Sequence, residues 1–180
     1  MLNLAILGCG ARGTMFARIA AHDGIKINAA CDVKEVQLER MNKEFGVPED
    51  KLFTNADKFF EQGKLADCLI ISTLDGTHVE YAVKALDVGY DVLLEKPIAL
   101  DLDGVIKIRD KAEATGRKVG VCHVLRYTPF YMKMKEIIDS GVIGRVMNIN
   151  QTENVGYWHF SHAFVRGNWH NSKETCPDIL

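Results

Sequence analysis

Gly8-Cys9-Gly10-Ala11-Arg12-Gly13 sets three glycines in the spacing G-x-G-x-x-G, directly after the apolar run 2–7 and ahead of a helix-period stretch. The chemistry such a loop offers is the binding of a diphosphate. Gly8 permits a tight turn, Gly10 lets a phosphate approach bare backbone, and Gly13 lets a helix pack closely on the strand. Ala11 and Arg12 open that helix, whose free amides and positive end supply the counter-charge. Asp32 closes a second apolar run, nineteen residues after Gly13. A carboxylate there accepts hydrogen bonds from both hydroxyls of an adenine ribose and repels a 2′-phosphate, so NAD is favoured and NADP is the less favoured cofactor. Arg12 and Lys34 oppose that preference, because either cation can neutralise a 2′-phosphate.

A second set of polar residues follows two later apolar runs, in Ser72-Thr73-Leu74-Asp75-Gly76-Thr77-His78 and in Leu94-Glu95-Lys96-Pro97. Hydride departure from a carbinol needs a group that takes or polarises the hydroxyl proton. A lysine among apolar strand ends and near a positive nicotinamide has its charged form disfavoured, which moves its pKa toward working pH. Lys96 is the candidate for that role, as base or as polarising donor. Glu95 has three readings: it orients Lys96, binds a ribose, or is a solvated carboxylate.

These residues need strand ends to hold them. The runs 2–7, 26–31, 68–72, 91–94 and 118–122 are each of strand length, and none alternates with polar residues. Continuous apolar strands are buried on both faces, as in a parallel sheet covered by helices. Between them, Met15, Phe16, Ile19 and Ala20 share one helical face, as do Val79, Val83 and Leu86. Leu102, Val105, Ile106 and Ile108 form a third, with Asp101 placed to cap it. The alternation predicts an α/β fold, a doubly wound parallel sheet of Rossmann type with right-handed crossovers. Past Cys122 the rhythm changes. The stretch 128–140 reads as a helix stopped by Gly141, and 145–155 as an extended strand. The last thirty residues hold five of the fifteen aromatics and no period that would bury them locally.

The elements G-x-G-x-x-G, Thr73-x-Asp75-x-x-His78 and Glu95-Lys96-Pro97, in this order and spacing, resemble the glucose–fructose oxidoreductase / inositol dehydrogenase family (Gfo/Idh/MocA). The stretches 121–130 and 141–144 are similar to the start of that family's second domain. The resemblance implies that Thr73, Asp75 and His78 line the cofactor trough near the nicotinamide. It puts Glu95 and Lys96 beside the nicotinamide and the substrate hydroxyl, with a cis peptide before Pro97. Arg126 and its neighbours are implied to face the substrate, and the segment around Trp158 looks like the family's substrate-facing strand and loop, where aromatic faces stack on sugars. Typical members oxidise a secondary hydroxyl of a sugar or cyclitol, or reduce the ketone, with nicotinamide. From the residues themselves, His123 ends a strand beside the expected cleft, and Arg126 offers fixed guanidinium donors to a hydroxylated ligand.

Composition narrows the classes. The 180 residues carry a net charge of −2, without the basic stripe of a nucleic-acid binder. No apolar run approaches the ~18 residues of a membrane span. Five cysteines, odd in number and without C-x-x-C spacing, read as small buried hydrophobes of a cytoplasmic protein. His159 and His162 do not have the spacing of a structural zinc pair, so no metal is expected. The division is expected near His123: an NAD-binding domain over 1–122, then 123–180 as the first helix, strand and loop of an α+β substrate domain left incomplete. The unpaired strand and the aromatic tail predict a homo-oligomer. Two alternatives to the dehydrogenase remain: an NAD-binding sensor module without catalysis, and an NAD-dependent glycoside hydrolase.

Overall fold

The computed structural model describes residues 2–171 and Thr175. Residues through Cys122 form one compact unit and His123–Asn171 a second. In the first unit, strands and helices alternate: β1 (Asn3–Leu7), α1 (Ala11–His22), β2 (Lys26–Cys31), α2 (Glu35–Phe45), β3 (Leu52–Phe53), α3 (Ala56–Glu61), β4 (Cys68–Ile71), α4 (His78–Val88), β5 (Asp91–Leu94), α5 (Leu102–Thr115) and β6 (Val119–Val121). All strand pairs are parallel, in the order β3-β2-β1-β4-β5-β6. The order reverses between β1 and β4, which is where open sheets of this kind bind their ligands.

Successive strand residues face opposite sides, so each apolar run feeds two cores. Ala5, Leu7, Leu69, Ile71, Val92 and Leu94 pack with Phe59, Ala85, Leu86 and Ile108 of α3, α4 and α5. Leu4, Ile6, Ile27, Ala30 and Ile70 pack on the other face with Ala17, Ala20, Leu38 and Met41 of α1 and α2. Burying each large side chain stabilises the unit by ~1.5–3 kcal/mol. Asp101 caps α5 as expected, its Oδ1 accepting from the Gly104 amide at 2.7 Å. Between Asp32 and Asp67 periodicity marks no element, yet the chain there forms α2, β3 and α3. The reason is short or sparse patterning: α2 buries only Leu38 and Met41, β3 has two residues and α3 six.

In the second unit α6 (Pro129–Asp139) falls on the expected helix, followed by Gly141 in the left-handed region. The strand expected over 145–155 is absent: those residues are irregular. A strand needs neighbours for its amides and carbonyls, and none of 123–171 forms one. Where an extended segment was expected around Trp158, the chain forms α7 (Tyr157–Phe160) and a π-helical turn, Ser161–Val165. Trp158 and His162 lie one turn apart with tilted rings, centroids 4.0 Å from each other. Cys176 and the rest of 176–180 lie outside the described residues.

Candidate active site

The parallel ladder runs past the strands and aligns their carboxyl ends. The Ser72 amide donates to Leu7 O, Glu95 to Ile71 O and Cys122 to Leu94 O, each at 2.9 Å, while Gly8 donates to Cys31 O at 2.8 Å. Residues 8, 72, 95 and 122 therefore stand in register at one end of the sheet. The glycine loop is shaped around them. Gly8 has φ +91°, and a Cβ there would lie 2.6 Å from Ser72 O. A Cβ on Gly13 would run into the Gly8 carbonyl, whereas one on Gly10 would meet nothing within 4 Å. Ser72 Oγ donates to Gly8 O at 2.7 Å, tying β4 to the loop. Nothing in the residue order marks this serine as a loop tie. Only the register of β4 on β1 reveals that role.

The open side at Gly10 leads to the first turn of α1. That turn has no side-chain cap and no acidic residue, so its amides are left for an anion. Asp32 is half-buried; Oδ2 accepts from the Cys9 amide at 2.7 Å and Oδ1 from Lys34 N at 2.8 Å. An ionised carboxylate offers roughly four acceptor positions, so acceptor capacity remains for a vicinal diol. Burial, reinforced by Asp32, pushes the Cys31 thiol up to about 12 and the Cys9 thiol higher still. These thiols are inert packing beneath the loop, as expected from the sequence.

Glu95 is 6% exposed, which removes the reading of a solvated carboxylate. Its Oε2 accepts from the Lys96 amide at 3.1 Å. Arg12 Nε stands 3.1 Å from Oε1, an ion pair too far off line to be a hydrogen bond. Oε1 is thus buried and ion-paired, yet accepts no hydrogen bond among the described residues. Arg12 and Glu95 together join the phosphate loop to the end of β5. Cys122, the next strand end along, is pushed up to about 11 by burial and then by Glu95, with Arg12 opposing. Lys96 is exposed, not enclosed among apolar strand ends as expected, because the last ladder bond of this strand is made by the Glu95 amide and the chain turns away after it. The Lys96–Pro97 peptide is cis.

Thr73 is half-buried and Asp75 buried, beside and within a short turn, Asp75–Thr77. Thr73 Oγ1 and Thr77 Oγ1 are hydrogen-bonded at 2.7 Å. His78 departs from its expected place lining the trough: it is fully buried, with both ring nitrogens on backbone carbonyls. His123, Arg126 and Trp158 belong to the second unit. All three are exposed, Arg126 on the single turn Val124–Tyr127 and Trp158 on α7. The first unit thus brings together the glycine loop, Asp32, Thr73, Asp75, Glu95 and Lys96. The uncapped helix end, the open Gly10, the residual capacity of Asp32 and the unfilled hydrogen-bonding capacity of Glu95 Oε1 fit a dinucleotide. Among the described residues no three His, Cys, Asp or Glu side chains gather as a metal site would require.

Comparison with known proteins identifies the family and the fold. The family model of the Gfo/Idh/MocA oxidoreductase family, NAD-binding Rossmann fold, matches residues 2–123. Oxidoreductase P35 of Formosa agariphila is 37% identical over 130 residues, 70% of this chain and 38% of the relative. A glycosyl hydrolase family 109 protein of Phocaeicola vulgatus is 29% identical over 158 residues, 81% of this chain and 37% of the relative. The crystal structure of scyllo-inositol dehydrogenase from Lactobacillus casei with bound NAD(H) and scyllo-inositol superposes with a TM-score of 0.74 at 26% identity, covering 80% of this chain and 42% of that one. The chain spans less than half the length of these relatives.

Proposed function

The chain belongs to the Gfo/Idh/MocA oxidoreductase family by its NAD-binding Rossmann domain, and from that premise we propose that it serves hydride transfer between NAD and a secondary hydroxyl or ketone of a sugar or cyclitol-type substrate. The observation that carries this reading is the 3.1 Å approach of Arg12 to Glu95, which brings the phosphate loop within one side chain of Lys96. Gly8, Gly10, Ala11, Arg12 and Gly13 hold the diphosphate by backbone amides and the positive end of α1. Asp32 accepts from the adenine-ribose hydroxyls and sets the preference for NAD over NADP. Bound NAD supplies the hydride acceptor or donor. Lys96 takes or polarises the substrate hydroxyl proton, and Glu95 fixes the Lys96 backbone while Oε1, paired with Arg12, has capacity left to accept from a ligand hydroxyl. Thr73 and Asp75 border the nicotinamide half, and His123, Arg126 and Trp158 contact the substrate.

The full chain, incubated with NAD and a panel of cyclitols and hexoses, tests this by absorbance of NADH. Stoichiometric NADH with one class of polyol supports the dehydrogenase. The family 109 relative motivates a second reading, glycoside hydrolysis with catalytic NAD, which releases sugar from an aryl glycoside with no net NADH. Binding of NADH without either reaction is the outcome of a sensor module. Four described cysteines are free thiols, which supports a reducing, cytoplasmic setting. No helix of the described residues is long and apolar enough to cross a membrane. Exposed aromatics of residues 123–171 support self-association, to be measured by sedimentation velocity.

A further inference from the structure

We propose that His78 is a positioning residue whose sealed imidazole holds the Pro97 carbonyl and so fixes the backbone that presents Lys96; this rests on the dehydrogenase reading for its effect on turnover. His78 opens α4 and is 0% exposed, so no ligand touches it. Its Nδ1 lies 2.7 Å from Pro97 O, in the loop after β5, and its Nε2 lies 3.3 Å from Thr73 O, in the loop after β4. Both partners are carbonyls, which only accept. Only a ring N–H can bond them, and the shorter contact assigns one to Nδ1, donating to Pro97 O.

The Lys96 side chain is exposed, so packing does not hold it. Its position is set by the backbone on either side. On the amino side, the Lys96 amide is tied to Glu95 Oε2. On the carboxyl side, proline has no amide to tie down, and its carbonyl is held by His78. The far side of the ring meets a loop already braced by the Thr73–Thr77 hydroxyl pair and by Thr77 Oγ1 donating to Leu74 O at 2.7 Å. His78 is itself the first residue of α4, so its imidazole ties the loop after β5 to the start of that helix. A displacement of about 1 Å in a reacting group lowers a rate by about 100-fold, so the contact matters although it lies away from the chemistry.

Two isosteric amides separate the contacts. In His78→Asn the amide nitrogen stands near the position of Nδ1 and keeps the donor to Pro97. In His78→Gln it stands near Nε2 and loses that donor. Hydrogen exchange of the Lys96 amide, measured on the full chain without substrate, is expected to stay at the wild-type rate in His78→Asn and to rise at least tenfold in His78→Gln. In a turnover assay kcat falls about 100-fold in His78→Gln and only a few-fold in His78→Asn, with NAD affinity unchanged in both. Equal Lys96 exchange in the two variants, or loss of NAD affinity in place of kcat, overturns the proposal. Exchange is read with no reaction taking place. A wild-type chain without turnover therefore contradicts the dehydrogenase reading and leaves the exchange result to decide on His78.

Discussion

In residues 2–122 the apolar side chains line two cores, one on each face of the sheet, whereas in residues 123–171 none of the described residues is buried. Tyr157 and Trp158 are 81% and 73% exposed, while Phe59 and Tyr90 of the first unit are 0%. The difference lies in what each apolar pattern has to pack on. Strands with two apolar faces find helices on both sides, but a single amphipathic helix and an aromatic segment have no second layer within their own unit. The first unit therefore holds side chains at fixed places, and all the residues proposed to bind the dinucleotide are found there.

The comparison breaks most readily through large-to-small substitutions. Phe59→Ala should destabilise the first unit by ~3–5 kcal/mol, because its ring packs edge-on to Phe53 and Phe60. Phe130→Ala, at a ring that is mostly exposed, should change stability by less than ~0.5 kcal/mol. Urea denaturation measures both, and comparable losses would erase the distinction. Glycines sharpen it next. Gly13→Ala drives a Cβ into the Gly8 carbonyl and should cost ~1–3 kcal/mol, with NAD affinity lost alongside. Gly156→Ala in the second unit meets nothing within 4 Å and should be near neutral by the same melt.

Binding effects come next in size. Asp32→Ser removes the ribose acceptor and should weaken NAD by roughly tenfold, about 1.4 kcal/mol, while narrowing the gap to NADP. Unchanged NAD affinity by calorimetry would remove Asp32 from the site. The pH effect is the least visible near neutrality. Burial holds Cys31 and Cys122 protonated up to about 12 and about 11, against an ordinary 9.0. Above pH 9 the unfolded thiols ionise and the folded ones do not, so unfolding releases protons and stability falls as pH rises. Each thiol contributes a slope of up to ~1.4 kcal/mol per pH unit between 9 and its folded value, and none below. Cys122→Ala should flatten the slope between pH 9 and about 11, as read from melts across that range.

Much of the first unit was legible because burial on both faces leaves unbroken apolar runs: five of the six strands, the Asp101 cap and the glycine loop all show in residue order. What escaped is what depends on partners distant in sequence. The two-residue β3 takes its place from β2, and α3 from a pair of phenylalanines and the Asn55 cap, whose Oδ1 accepts from Lys58 N at 3.0 Å. The stretch 145–155 has strand-like residues and no strand beside it. At the site, the glycines and Asp32 announce their chemistry by spacing. His78 does not, since its burial depends on Pro97, nineteen residues later, folding back over the start of α4. Nor does Glu95, whose three readings are narrowed only by its burial at the end of β5.

The most direct test of the central claim, that one end of this sheet joins a dinucleotide loop to a proton-handling lysine, is Lys96→Ala measured for NAD affinity and turnover in the same sample. The expected result is NAD affinity within a few-fold of wild type and turnover lower by ~100-fold or more. Turnover retained in the variant, against a wild type that is active, would contradict the assignment and move the proton transfer to another residue.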